Sequence, residues 1–171
     1  ATVDPGYETA LSVAAGNKMG AIVVDNKDVA ARCIEYLKKN GLGRVTFLPL
    51  TELLPGKPRA KAIIALKSTD GYATDFVTYK PEYANVFWYV FGDTLVVGTL
   101  DKAKEVMGGV RIVTKAGELI EASGAMTGGT IDKRKVQQFG PSGQSALEGA
   151  KKIHVFARPT SRYWERAAAM A

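Results

Sequence analysis

Apolar positions along this chain come in short bursts, cut apart by glycine, proline and charge. "AIVVD" (residues 21–25) is a β-branched run of strand length. In the "NKDVAARCIEYLKKNG" that follows, Val29, Cys33, Ile34 and Leu37 share one helical face. Asp25 or Asn26 caps its start, Lys38 and Lys39 suit its last turn, and Gly41 fits the position just past its end. "RVTFLPL" (44–50) predicts a second strand, ended at Pro49, which makes a strand–helix–strand unit. Ahead of it, residues 7–15 predict a helix with Leu11 and Ala15 turned to a core.

After this unit the pattern shortens. "LPGKPRAK" (54–61) reads as a loop, "AIIAL" (62–66) as a strand, and "STDGYATDFVTYKP" (68–81) as a long polar loop. Within that loop "GYATD" (71–75) has the look of an anion site, with a plain polar loop as the preferred reading. Pro81 suits the first turn of a helix through "EYANVFWYVFG", whose Phe87–Phe91 aromatics are read as core filling. "TLVVG" (94–98) predicts a strand and "LDKAKEVMGG" a short helix ended by glycines. "RIVT", "KAGE" and "LIEAS" then make a hairpin with Gly117 in its turn. The mixed order gives an α+β chain of two small α/β subdomains, 1–80 and 81–130.

The inventory is poor in catalytic chemistry. Cys33 and His154 are the single cysteine and histidine, so an intramolecular disulfide, a cysteine-held metal and a Ser–His–Asp triad in the body are all excluded. A reducing compartment is expected. There is no phosphate-binding GxxxxGK[ST], and "PSGQSAL" (141–147) resembles a transporter-type ATPase signature only by coincidence. Glu118 and Glu121 flank a turn and read as solvent-facing. No apolar run approaches eighteen residues and no secretory leader pattern opens the sequence, so a soluble protein without membrane partner, cofactor or small-molecule substrate is expected. The net charge is +6, but residues 1–129 carry fifteen basic against fourteen acidic side chains, while 130–171 carry eight against three. The body is near neutral and the excess lies in the tail, so a high pI alone says little about nucleic acid.

"GELIEASGAMTGG" (117–129) spaces four glycines as G, six residues, G, three residues, GG. Glycine within strands costs roughly 0.5–1 kcal/mol relative to alanine. It persists where φ is positive or a second backbone comes too close for a Cβ. A hairpin turn at Gly117 with a flexible exit at Gly128 and Gly129 is one reading; close approach of a second copy of the chain is the other.

The spacing resembles the signature of the hinge domain of SMC (structural maintenance of chromosomes) proteins, at Gly117, Gly124, Gly128 and Gly129. The strand ending in "VVD", the helix after it, "GRVTFLPL" and "GDTLVVGTLDKAKEV" resemble further blocks of the same family, in order, and closest to its prokaryotic members. The resemblance implies a non-enzymatic module of two α/β subdomains that pairs with a second hinge into a ring-like homodimer, the four glycines lying at or beside the contact. Apolar anchors there would come from "TLVV" and "LIEAS", though ordinary core is the preferred role of those residues. The family places this domain at the tip of a long antiparallel coiled coil, opposite ATPase heads, in cytoplasmic, nucleoid-associated proteins of chromosome segregation and condensation. It also implies weak, non-specific DNA contact that prefers single strands, through Lys133, Arg134 and Lys135 near the coiled-coil junction. Lys57, Arg59 and Lys61 form a second basic loop; a solvated charge run is the alternative for both clusters. From Val136 the chain lacks heptads, so residues 131–171 are read as an exit toward the coiled coil followed by a non-native tail. Two other readings remain open: a monomeric α/β ligand-binding or regulatory domain using the glycine loop for an anion, and a dedicated nucleic-acid-binding domain.

Overall fold

The computed structural model describes residues 1–131 of the 171-residue chain. These fall into two compact units, residues 1–19 with 53–131, and residues 20–52. The first elements in chain order are β1 (Thr2–Val3), α1 (Glu8–Ala15), a 3-10 helix (Gly16–Gly20), β2 (Ile22–Val24), α2 (Lys27–Asn40) and β3 (Phe47–Pro49). Then come α3 (Ala60–Leu66), β4 (Gly71–Tyr72), a 3-10 helix (Ala73–Phe76), β5 (Val77–Thr78) and a 3-10 turn (Pro81–Tyr83). The last are α4 (Ala84–Phe91), β6 (Leu95–Val97), α5 (Leu100–Val106), β7 (Ile112–Thr114), β8 (Leu119–Ile120) and β9 (Met126–Thr127). Among the described residues no helix is long and apolar enough to cross a membrane.

The smaller unit is one βαβ element. β2 and β3 pair in parallel, with Val23 opposite Leu48, and α2 makes the crossover. The Asn26 side chain accepts hydrogen bonds from the N–H groups of Asp28 and Val29, both at 3.1 Å. At the other end Gly41 adopts φ 62° and the Leu42 N–H returns to the Leu37 carbonyl, which closes the helix in a left-handed turn. Val24, Val29, Ala30 and Cys33 form the core, with Ile22 and Phe47 packed against it. Burial pushes the Cys33 thiol up from its ordinary pKa. Ile34, expected on this face, is instead 41 % exposed, because the buried stripe runs through Val29, Cys33 and Leu37 and lies one residue to its side. Such a small core leans on its caps. Asn26→Ala is expected to cost about 1 kcal/mol, read as a loss of helical circular dichroism at lower denaturant.

The larger unit is built on a five-stranded sheet of order β4-β6-β7-β8-β9. β6 and β7 are parallel with α5 between them; the other pairs are antiparallel. Alternation along the strands sends side chains to opposite faces. Val96 and Val113 join α1 and α4 in one core with Leu11, Ala14 and Phe91. Leu95, Val97, Ile112 and Ile120 join α3 and α5 in another, with Ala62, Ala103 and Val110. Both faces are covered, which is why "LVV" and "IVT" are apolar without interruption. "TLVV" and "LIEAS" thus supply core, the role preferred for them: Leu95, Val96, Val97 and Ile120 are all fully buried.

Three expectations change here. "AIIAL" is helical, not a strand. Ala62, Ala65 and Leu66 reach the core at i, i+3, i+4 spacing, whereas Ile64 is 73 % exposed; a five-residue apolar run does not distinguish the two periods. The polar stretch 68–81 is ordered: β4 pairs with β6, and β5 pairs with β1. The cut expected near residue 80 falls inside the larger unit, because β4 on one side of it pairs with β6 on the other.

Candidate functional site

The glycine motif spans a meander of three strands. After β7 the Thr114 N–H bonds the Glu118 carbonyl (2.9 Å) and the Gly117 N–H bonds the Thr114 carbonyl (3.0 Å). After β8 the arrangement repeats: Glu121 N–H to the Ala125 carbonyl and Gly124 N–H to that of Glu121, both 2.8 Å. Each hairpin therefore has a three-residue loop with glycine last, at φ 98° for Gly117 and 95° for Gly124. That is the left-handed position such a loop requires. The spacing of six between the first two glycines is the length of one turn plus one short strand.

Gly128 and Gly129 follow β9, the outermost strand of the sheet. Both β9 residues are exposed, Met126 by 50 %. Nothing lies within 4 Å of where a Cβ would stand on Gly124 or Gly129, and at Gly128 only the Glu118 side chain does, its Cγ at 3.3 Å. Gly117 differs: it is buried, and the space of its absent Cβ is taken by Ile131 of the same chain. The structure thus places Gly124, Gly128 and Gly129 along one open edge and Gly117 under cover. Sequence reasoning missed Met126 as an edge residue; its place directly before "TGG" was the available signal.

Polar contacts tie β7, β8 and the helices behind them together. The Arg111 guanidinium spans the Glu121 carboxylate (3.2 Å), the Ala14 carbonyl at the end of α1 (2.8 Å) and Thr94 Oγ1 (3.2 Å). Lys18 donates to the last carbonyls of α4, Tyr89 at 2.8 Å and Val90 at 3.2 Å. Burial, with the nearby Arg111, holds the Lys18 pKa below its ordinary value. The Thr114 hydroxyl bonds the Glu118 carboxylate. Glu118 and Glu121, expected to face solvent, are both tied in this way.

The basic loop is mostly committed to structure. Arg59 grips Asp93 in a fork, Nε to Oδ2 at 2.7 Å and Nη2 to Oδ1 at 2.8 Å, and its own N–H bonds Oδ2 at 3.0 Å. The Arg59 hydrogen bonds hold the Asp93 carboxyl below the usual carboxylate range. Lys61 donates to the Gly108 carbonyl at 2.9 Å, and Lys57 is exposed. The same loop passes so close to the Trp88 indole that Gly56 has no room for a Cβ. Lys133, Arg134, Lys135, His154 and "PSGQSAL" lie outside the described residues. At "GYATD" the Asp75 carboxylate itself accepts the Tyr72 N–H (2.8 Å), so that turn already holds its own anion. Among the described residues no group of histidine, cysteine and carboxylate side chains is placed to hold a metal.

The family model for the flexible hinge domain of SMC proteins matches residues 1–107. This chain belongs to the SMC hinge family. The match is to the hinge, not to the ATPase head. The chromosome partition protein Smc of Gloeobacter violaceus is 44 % identical over 133 residues, which is 78 % of this chain and 11 % of that protein. The hinge thus spans about a tenth of the length of the Smc protein it matches. The crystal structure of the Pyrococcus furiosus SMC hinge domain aligns with TM-score 0.65 at 35 % identity, covering 80 % of this chain and 75 % of that one. An asymmetric dimer of the Geobacillus stearothermophilus SMC hinge domain aligns with TM-score 0.69 at 29 % identity, covering 89 % and 63 %. The mixed α/β fold expected from the sequence is that of these hinges.

Proposed function

We propose that this hinge pairs with a second copy of itself, and that the edge formed by Gly124, β9, Gly128 and Gly129 lies against the partner. The observation that carries the reading is the edge itself. An outer strand exposes unpaired N–H and C=O groups, and monomeric proteins guard such strands with charge, proline or a covering element. Here "GAMTGG" has neither charge nor proline, and the Cβ positions of two of its glycines face open space. A second backbone meets no side chain of those glycines there. The Geobacillus stearothermophilus hinge crystallised as a dimer, which supports the same reading. The anion-loop alternative fits less well, because Glu118 and Glu121 flank the glycines.

In this reading the hinge joins two arms of a chromosome-organising ATPase and closes the end of the ring opposite the heads, in the cytoplasm at the nucleoid. DNA contact is weak and sequence-independent, with single strands preferred. Lys57, Arg59 and Lys61 are all exposed; Lys61 contributes the donors not spent on Gly108, and Arg59 the guanidinium N–H groups not spent on Asp93. Lys133, Arg134 and Lys135 complete the proposed set.

Sedimentation tests the pairing. The wild-type chain is expected at dimer mass at micromolar concentration. Replacing Gly128 and Gly129 together by alanine is expected to weaken dimerisation by about tenfold or more, with the circular dichroism unchanged. A wild-type chain that sediments as a monomer, or a variant that dimerises as well as wild type, overturns the reading.

A further inference from the structure

Gly117 belongs to the motif but not to the open edge. The described chain beyond β9 explains why. Thr127 pairs with Leu119, Gly128 lies beside Glu118, and Ile131 arrives over Gly117. The outgoing chain thus runs back along β8 and crosses the β7–β8 turn. A Cβ on Gly117 would overlap Ile131 Cδ1 and would stand 3.2 Å from Thr9 Cγ2 and 3.4 Å from Val13 Cγ2. Thr9 and Val13 are on α1. One missing side chain therefore leaves a notch where the outgoing chain, the hairpin turn and the incoming helix converge.

The same turn is tied to the incoming segment a second time. Lys115 Nζ sits 4.6 Å from the centre of the Tyr7 ring, at the start of α1, and pairs with Asp70 at 3.1 Å. The turn is thus fixed against α1 on both sides of Ala116.

We infer that Gly117 is a positioning residue for the chain exit: its notch seats Ile131 and fixes the outgoing segment against α1 within one protomer, without help from a partner. The first glycine of the motif then serves the junction where the two ends of the hinge come together, and the last three serve the edge. The assignment is geometric and independent of the proposed dimer.

The test is a double-substitution cycle read by melting, with sedimentation alongside. Gly117→Ala is expected to lower the melting midpoint by about 5 °C, since alanine is strained at positive φ and meets Ile131. Ile131→Ala empties the notch and is expected to lower it less. The double variant is expected to melt no lower than Gly117→Ala alone, because the two changes act on one space. All three should keep the wild-type mass. Additive losses overturn the inference. So does a Gly117→Ala protein that falls from dimer to monomer mass while Ile131→Ala does not. A wild-type monomer would overturn the dimer reading and leave the melting cycle intact. If Gly117→Ala does not fold, Ile131→Ala decides alone. Its melting midpoint should then fall by about 3 °C at the wild-type mass, and an unchanged midpoint overturns the inference.

Discussion

Replacing Ile112 by alanine is expected to lower the stability of this hinge by about 3 kcal/mol, the largest loss of the substitutions considered. Ile112 is fully buried at the middle of the five-stranded sheet. It stands opposite Leu95 on one side and Ile120 on the other. Its side chain faces α3 and α5, among Ala62, Ala103 and Val110. Strands on both sides hold the backbone of β7 in register, so the surroundings cannot collapse to fill the space, and a cavity term adds to the lost burial. Ile64→Ala is the matched control: the same chemical change at a 73 % exposed site should stay within about 0.5 kcal/mol. Denaturant midpoints at constant m-value measure both. Equal losses at the two sites would show that β7 is not where the core lies.

Asp93→Ala is expected to cost about 2 kcal/mol at neutral pH. The carboxylate is nearly buried, its side chain 12 % exposed, and it accepts three hydrogen bonds from Arg59. The Arg59 side chain is 50 % exposed and recovers water when its partner goes, which keeps the loss below that of a fully buried pair. The pair also fixes the start of α3, through the Arg59 N–H. Its pH dependence has a definite sign. The folded pKa of Asp93 lies below its ordinary value of 3.8. The unfolded chain therefore binds the proton first, and the stabilisation is complete above the unfolded pKa and is lost as pH falls through the folded one. Stability of the wild type should drop in acid below about pH 4, and the drop should be smaller in Asp93→Ala. An identical acid slope in the two proteins would show that Arg59 and Asp93 are not paired.

The residues that position the edge were readable to different depths. Gly117 in a hairpin turn followed from "RIVTKAGELIEAS", because the turn is a local matter of five consecutive residues. The repeat of that turn at Gly124 was hidden, since β8 and β9 are two residues each and too short to show alternation. Arg59 looked like a free phosphate-binding cation because its partner lies thirty-four residues away, in "FGDTLVV". Nothing in the spacing of either segment announces the pair.

A cap at Asp25 or Asn26, the stop at Gly41, the first strand–helix–strand unit and the strands in "TLVVG" and "RIVT" were legible in the sequence alone; folding chose Asn26, paired the strands in parallel and made a second such unit of β6, α5 and β7. Backbone preference and hydrophobic period act over a few residues, and a few residues are what a sequence displays directly. The tertiary structure decided which apolar residues the core had room for, so that Ile34 and Ile64 stay outside while Ile112 and Ile120 are enclosed. It also decided what stands beside each glycine. A glycine records only that a Cβ is missing; the neighbour that uses the space, Ile131 at Gly117 and open solvent at Gly129, is set by chain segments brought together in folding.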